Sequence, residues 1–267
     1  MDGILNIIIR KFNPNLLFLS FMKLITYSLD DDLTKIELFC INSWIKNGYE
    51  VDLYHYSLKK ENLKINLKNA EKLIKKEDTD KVSDPIYKKM FFKLKIGYIV
   101  GGLVIDPDIY CNKFYPFKEE SFVSCSPDPK YLNSFIDFSI FKFPKRCKEM
   151  HYIVNHFFML YNDVVSGYNT TNDIKFLLGK LLAKVFKVDK KDWKFCHSCH
   201  EEHWRIQLGI PFDLNKLKSF QGGKEDYIYE IEKLGYFCKI WQDEIIKNIP
   251  NFDIYKFKKG FLGKLPR

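Results

Sequence analysis

The hydrophobic pattern of the first third of the chain changes period in a regular order. Lys23-Leu-Ile-Thr-Tyr-Ser28 is a short apolar run that predicts a strand. Asp30-Asp31-Asp32 follows, suited to cap a helix and to favour its positive end. Leu33, Ile36, Cys40 and Trp44 then fall on one helical face, and Asn47-Gly48 closes that helix by permitting positive φ. Val51-Asp-Leu-Tyr-His-Tyr56 predicts a second strand. Together these make a β-α-β unit of about the minimum size for parallel strands.

Further on, Leu63 to Lys76 is lysine-rich with spaced Leu and Ile, which predicts a surface helix. Pro85 to Val100 predicts a further helix, with Gly97 as its weak point and Gly101-Gly102 as its stop. Leu103-Val-Ile105 is a buried strand that leads directly into Asp106-Pro107-Asp108. Residues 112–150 hold short strand-like runs with several prolines. Ile174 to Val188, Tyr227 to Leu234 and Ile240 to Ile249 predict helices, and Cys196 to His203 is polar and irregular. Internal repeats and Pro/Gly/Ser-rich linkers are absent from the sequence.

Composition narrows the class. Hydrophobic residues make up 46% and charged residues 29% of 267, with 24 Phe and 16 Tyr, so an ordered core of enzyme size can form. The net charge of +9 attracts phosphate-rich partners, but the lysines are spread along the chain. That distribution reads as a solvated surface and argues against a nucleic-acid partner. Seven scattered cysteines fit a reducing compartment, and the expected location is cytoplasmic. The apolar stretches Ile4–Ile9 and Leu16–Phe21 are too short to span a bilayer, which takes roughly 20 residues. The expectation is no signal peptide and no transmembrane segment, with peripheral membrane contact through this aromatic, basic N-terminus left open.

The sharpest chemical feature is Gly101-Gly-Leu-Val-Ile-Asp-Pro-Asp108. Two carboxylates sit one residue apart just beyond an apolar strand, where ligands bind in open α/β sheets. Such a pair can hold Mn²⁺ or Mg²⁺, and the ion can bridge a diphosphate and neutralise its charge as it leaves. Pro107 stiffens the spacing of the two aspartates. An isolated Asp-x-Asp is a weak signal, since most are polar turns. The double glycine, the strand and the aromatic helix before it strengthen this one.

The segment Phe92-Lys-Leu-Lys-Ile-Gly-Tyr-Ile-Val-Gly-Gly-Leu-Val-Ile-Asp-Pro-Asp108 resembles the DxD core of the retaining GT-A glycosyltransferases, a group related to capsular polysaccharide and mannosyltransferase-like enzymes. Ile41-Asn-Ser-Trp-Ile-Lys-Asn-Gly-Tyr-Glu-Val-Asp-Leu-Tyr-His-Tyr56 resembles the same family's first helix and second strand, and Lys239-Ile-Trp241 its C-terminal His-x-Trp element. The resemblance covers residues 22–110 well and 130–245 loosely. It implies an α/β fold, a single GT-A (Rossmann-like) domain over residues 1–267 with a mostly helical C-terminal part. Residues 1–110 form the nucleotide-binding half, and 111–267 the acceptor half and closing helices. It further implies a metal-dependent transfer of a hexose from a UDP-sugar (a GDP-sugar is the alternative) to a glycan or protein hydroxyl, with retention.

The same resemblance assigns donor-binding roles to Tyr27, Tyr54, Lys93, Asp106, Asp108 and Trp241, and metal ligation to Asp106 and Asp108. Tyr27 sits where the family places an aromatic against the base, and Trp241 where a residue closes over the donor. This sequence departs from the family at several positions. By ungapped spacing Lys93 takes an Arg place and Met90 an Asp place, while Ser83-Asp84 lies six residues too early. Lys93 can meet phosphate as a point charge without the bidentate Arg fork. Lys239 replaces a His that could ligate metal, and Val104 replaces an aromatic. The leaving phosphate itself can assist the incoming hydroxyl, so no catalytic base is assigned.

Cys196, Cys199, His200 and His203 are ligand types for Zn²⁺, but they lie within eight residues, whereas structural zinc sites join distant pairs. This segment reads as a polar loop on the acceptor side. Asn169-Thr-Thr171 matches a glycosylation sequon and reads as an ordinary loop. The alternative functional class is a non-catalytic relative or a basic nucleic-acid-binding protein. A metal-dependent phosphatase or nuclease would need more carboxylates or histidines around Asp106 and Asp108.

Overall fold

The computed structural model of the chain describes residues 22–57, 64–126, 135–166, 189–191, 196–197, 236–240, 242–258, 262 and 265. Its opening unit is the expected β-α-β. Strand β1 (Lys23–Ser28), helix α1 (Lys35–Lys46) and strand β2 (Glu50–His55) follow in order. β1 and β2 pair in parallel, from Leu24 opposite Val51 to Ser28 opposite His55. The helix is capped by Thr34 and not by the three aspartates. Thr34 Oγ1 accepts from the Glu37 N–H at 3.1 Å, and Glu37 Oε2 accepts from the Thr34 N–H at 2.8 Å. This reciprocal pairing satisfies two donors at once, which a run of aspartates ahead of the helix does not.

Strand β3 (Asn66–Asn69), a 3-10 turn (Ala70–Lys72) and the short helix α2 (Lys76–Asp80) occupy the region where a surface helix was expected. The reason is legible afterwards. Leu63, Ile65 and Leu67 alternate with polar residues, the period of a half-buried strand, and the open edge of β2 offers the hydrogen bonds.

Helix α3 (Pro85–Val100) matches the expectation, with Pro85 in its first turn and Asp84 as its cap, accepting from the Ile86 and Tyr87 N–H groups. The Tyr161 hydroxyl, on helix α4 (Lys148–Val165), accepts from the Ser83 N–H at 3.0 Å and so fixes the start of α3. Gly97 is an approach point. A Cβ there would lie 2.6 Å from the ring of Phe141 on strand β7 (Phe135–Phe143).

Strand β4 (Gly102–Ile105) returns to the sheet parallel to β1, on the side away from β2. β7 runs antiparallel to β4, strand β6 (Phe122–Ser126) antiparallel to β7, and strand β8 (Asp189–Lys191) parallel to β6. The order in this seven-stranded sheet is β3-β2-β1-β4-β7-β6-β8. A small sheet stands beside it, in which strand β10 (Phe237–Lys239) lies between strand β5 (Ile109–Cys111), antiparallel to it, and strand β9 (Cys196–His197), parallel to it. Helix α5 (Gln242–Asn248) follows β10.

Alternate strand residues bury on opposite faces, which gives two cores. Leu24, Val51, Leu53 and Leu103 pack with Trp44 and Phe39 of α1, in a cluster that continues to Phe237, Ile245 and Leu262. Ile25, Tyr27, Tyr54 and Val104 pack with Phe91 and Phe92 of α3 and Phe157 of α4. The class is mixed α/β, as expected. After residue 111, the described residues include strands β6 to β10 beside α4 and α5. Among the described residues no helix is long and apolar enough to cross a membrane.

Gly101 has φ 72° and ψ 173°, a conformation held essentially by glycine alone. A Cβ there would also meet the Lys145 backbone N at 2.5 Å, whereas a Cβ at Gly48 (φ 87°) meets nothing within 4 Å. Gly48→Ala should therefore lower stability by about 1 kcal/mol, the strain of positive φ alone. Gly101→Ala should lower it by about 3 kcal/mol or more, because overlap adds to strain. Urea unfolding of the two variants checks the ranking, and equal losses would be the contrary result.

Candidate functional site

The sheet has a reversal point at one place. From β1 the chain crosses one face through α1 to reach β2, then returns across the other face through α3 to reach β4 on the far side of β1. The crevice beyond the carboxyl ends of such strands is where open α/β sheets bind ligands. Tyr27 near the end of β1 and Asp106 just after β4 meet there, the Tyr27 hydroxyl donating to Asp106 Oδ1 at 3.0 Å.

Asp106 to Ile109 form a tight turn, closed by the Ile109 N–H donating to the Asp106 carbonyl at 3.2 Å. Pro107 occupies the second position, whose φ it pre-sets. The turn carries the chain out of the large sheet and into β5. Helix α1 holds one edge of β5 with side chains. The Trp44 indole N–H donates to the Ile109 carbonyl at 2.6 Å, the Ser43 hydroxyl accepts from the Cys111 N–H at 2.8 Å, and the Asn47 amide donates to the Cys111 carbonyl at 3.1 Å. β10 holds the other edge, with Lys239 opposite Ile109 and the Ile240 N–H donating to the Asp108 carbonyl at 2.8 Å.

That pairing brings Lys239 between the two aspartates. Its Nζ lies 3.2 Å from Asp106 Oδ2, 3.1 Å from Asp108 Oδ1 and 3.4 Å from Ser139 Oγ. Lys93 on α3 approaches from the opposite core, its Nζ 2.9 Å and 3.0 Å from the two oxygens of Asp106. Asp106 and Lys93 are buried at 7% and 8% exposure, so this is a desolvated ion pair and not a surface one. Lys89, one turn earlier on the same face of α3, approaches Asp243 at 3.7 Å.

The electrostatics follow from burial and partners. Burial pushes the Asp106 carboxyl up, but the ammonium groups of Lys93 and Lys239 and the Tyr27 hydroxyl outweigh it and hold it below the usual carboxylate range. Asp108 goes the other way. Burial raises it, Lys239 only partly opposes this, and the neighbouring Asp106 charge adds to the rise. Burial would lower the Lys89 ammonium, yet Asp243, Glu37, Asp30 and Asp108 together raise it. Tyr27 is pushed well up by burial and then by Asp106, so its hydroxyl stays protonated as a donor.

Of the residues singled out from the sequence, Tyr27, Lys93, Asp106 and Asp108 converge. Tyr54 lies opposite Tyr27 in the next strand and is buried in the same cluster. Met90 and Val104 are core residues. Trp241, Cys199, His200 and His203 lie outside the described residues, as do Ile174 to Val188 and Tyr227 to Leu234. Cys196 and His197 form β9, beside β10. Sequence reasoning missed Ser139, Lys89 and the positioning role of Trp44. Only Lys89 left a signal, four residues before Lys93 and so on the same helical face.

The donor types suit a hard divalent cation, since two carboxylates and substrate phosphates commonly hold one. An ammonium group already bridges the two carboxylates, and among the described residues no three His, Cys, Asp or Glu side chains converge. A cation at metal–oxygen distance of about 2.1 Å from both would have to displace Lys239.

No protein-family model matches the sequence, and no curated protein matches it. Among solved structures, the chain is similar to the PaToxG glycosyltransferase, at a TM-score of 0.43 and 11% identity, over 84% of this chain and 85% of that one.

Asp106→Asn leaves Lys93 buried beside a neutral partner, and should lower stability by roughly 3 kcal/mol near neutral pH. Adding Lys93→Met should recover part of that loss, because the whole pair is then gone. The depressed Asp106 carboxyl contributes stability above the usual carboxylate range and loses it as pH falls through its folded value. The penalty of Asp106→Asn should therefore shrink on acidification. Thermal melts of the three proteins across pH measure it, and a penalty that grows in acid would contradict the assignment.

Proposed function

We propose that this chain is a glycosyltransferase that takes a hexose from a nucleotide-sugar, a UDP-sugar before a GDP-sugar, and passes it to a glycan or protein hydroxyl with retention. One observation carries the reading: Asp106 and Asp108 stand together at the reversal point of the sheet, ringed by Lys93, Lys239 and Tyr27. An isolated ion-pair network can form anywhere in a core. One at the carboxyl ends of β1 and β4 lies where α/β sheets receive nucleotides.

In this reading the chain's own groups bind and orient. Lys93 and Lys239 balance the two carboxylates and provide positive charge for a diphosphate. Tyr27 fixes one oxygen of Asp106 and so limits how that carboxylate can turn. The short turn through Pro107, clamped by Trp44 and by β10, keeps Asp106 and Asp108 in register with the sheet. Such preorganised charge is worth most where water is excluded, as at buried Asp106. The departing phosphate can take the proton of the incoming hydroxyl, so the reaction needs no further base.

Incubation with a panel of UDP- and GDP-hexoses, without acceptor, should release free hexose from one donor. Asp106→Asn should reduce kcat/KM for that donor by roughly 100-fold, as expected when a preorganised electrostatic contact is lost. Nucleotide binding without turnover of any donor would instead favour a non-catalytic relative.

A further inference from the structure

The four charges of the site fit together in a way that the Asp-x-Asp pattern alone does not predict. A divalent ion between two aspartates brings two positive charges to two negative ones. Here Lys93 and Lys239 bring the same two positive charges to Asp106 and Asp108. Lys239 also stands in the bridging place, one oxygen of each aspartate within 3.2 Å of its Nζ.

We propose that Lys239, with Lys93, is a tethered replacement for the divalent cation, so that this site binds a nucleotide diphosphate without metal. The proposal rests on the donor-site reading above and adds how that site holds its substrate. Three features support it. First, the backbone of Lys239 is locked into β10, opposite Ile109 and next to the Ile240–Asp108 hydrogen bond, which fixes where its side chain starts. Second, an incoming divalent ion would have to break the contacts of Lys239 to both aspartates and would then repel the ammonium held beside it. Third, the contact from Lys239 to Ser139, at 3.4 Å, is longer than its contacts to the two aspartates. It is the contact that a phosphate oxygen can take over while the two carboxylate contacts persist.

The alternative, a purely structural lysine, makes no demand on how nucleotide binding responds to metal. The full chain should be titrated with UDP by calorimetry in EDTA and again with Mn²⁺. Mn²⁺ alone should be followed by electron paramagnetic resonance. For the wild type, UDP should bind equally in both buffers, and Mn²⁺ should keep the signal of the free ion. Lys239→Ala should weaken UDP binding in EDTA by at least ~10-fold, the usual loss for one charged hydrogen bond, and Mn²⁺ should restore it. Lys239→Arg keeps the charge and should keep much of the binding in EDTA, which covers the case in which the alanine variant does not fold. UDP binding by the wild type only when Mn²⁺ is present, or Mn²⁺ binding that Asp106→Asn abolishes, would overturn the proposal and leave the donor-site reading intact. No binding of UDP, or of GDP titrated in the same way, in either buffer would overturn the donor-site reading and this proposal with it.

Discussion

Two carboxylates taken out of water at the end of a strand must be met by positive charge, and the ion pairs that do this organise the rest of the molecule. Asp106 is met from two directions, by Lys93 from the helix of one core and by Lys239 from a strand of the small sheet. Neither lysine can be moved without leaving an uncompensated charge in a low-dielectric environment. The consequence is mechanical as well as electrostatic. Helix α3, strand β4 and strand β10 are joined at one point, although Lys93 and Lys239 are 13 and 133 residues from Asp106 along the chain.

That point is held in place by hydrogen bonds that are unusual for a sheet. Among the described residues β10 is the strand partner of β5 on one edge, and its other edge is served by Trp44 and Ser43 of α1 and by Asn47, the residue that ends that helix. A three-residue strand with an open edge would be free to slide. Side-chain donors and acceptors from a packed helix fix its register. Because β5 begins right after Asp108, the same bonds fix the angle at which the two aspartates leave the large sheet. Glu37 continues the chain of constraints. Its carboxylate caps α1 and accepts from the Gln242 amide at 3.1 Å, which ties the start of α5 to the start of α1. Burial raises its pKa, opposed by those bonds.

The balance of charge at the site also bears on its chemistry. An Asp-x-Asp pair read from sequence invites a metal. In the structure the same pair has a lysine between its carboxylates, and Lys93 and Lys239 oppose the two negative charges. Lysine is a compact point charge with three donors, suited to bridging oxygens.

The sequence by itself determined the local elements with a clear period or a strong punctuator. The β-α-β unit, helix α3, the stop at Gly101-Gly102 and the strand before Asp106 all follow from side-chain spacing and backbone preferences that act within a few residues. It also made Asp106 and Asp108 candidates, since they follow an apolar strand, while Tyr27 and Lys93 were candidates through the family resemblance. It misread Leu63 to Lys76, where an alternating pattern needed the free edge of β2 to become a strand. The position of Lys239 was decided by tertiary structure alone. In the sequence it is only a lysine where the resembled family has a histidine. Antiparallel pairing of β10 with β5 turns it into the cation between two aspartates, because a contact across more than 130 residues depends on which strand edges meet and not on any local preference.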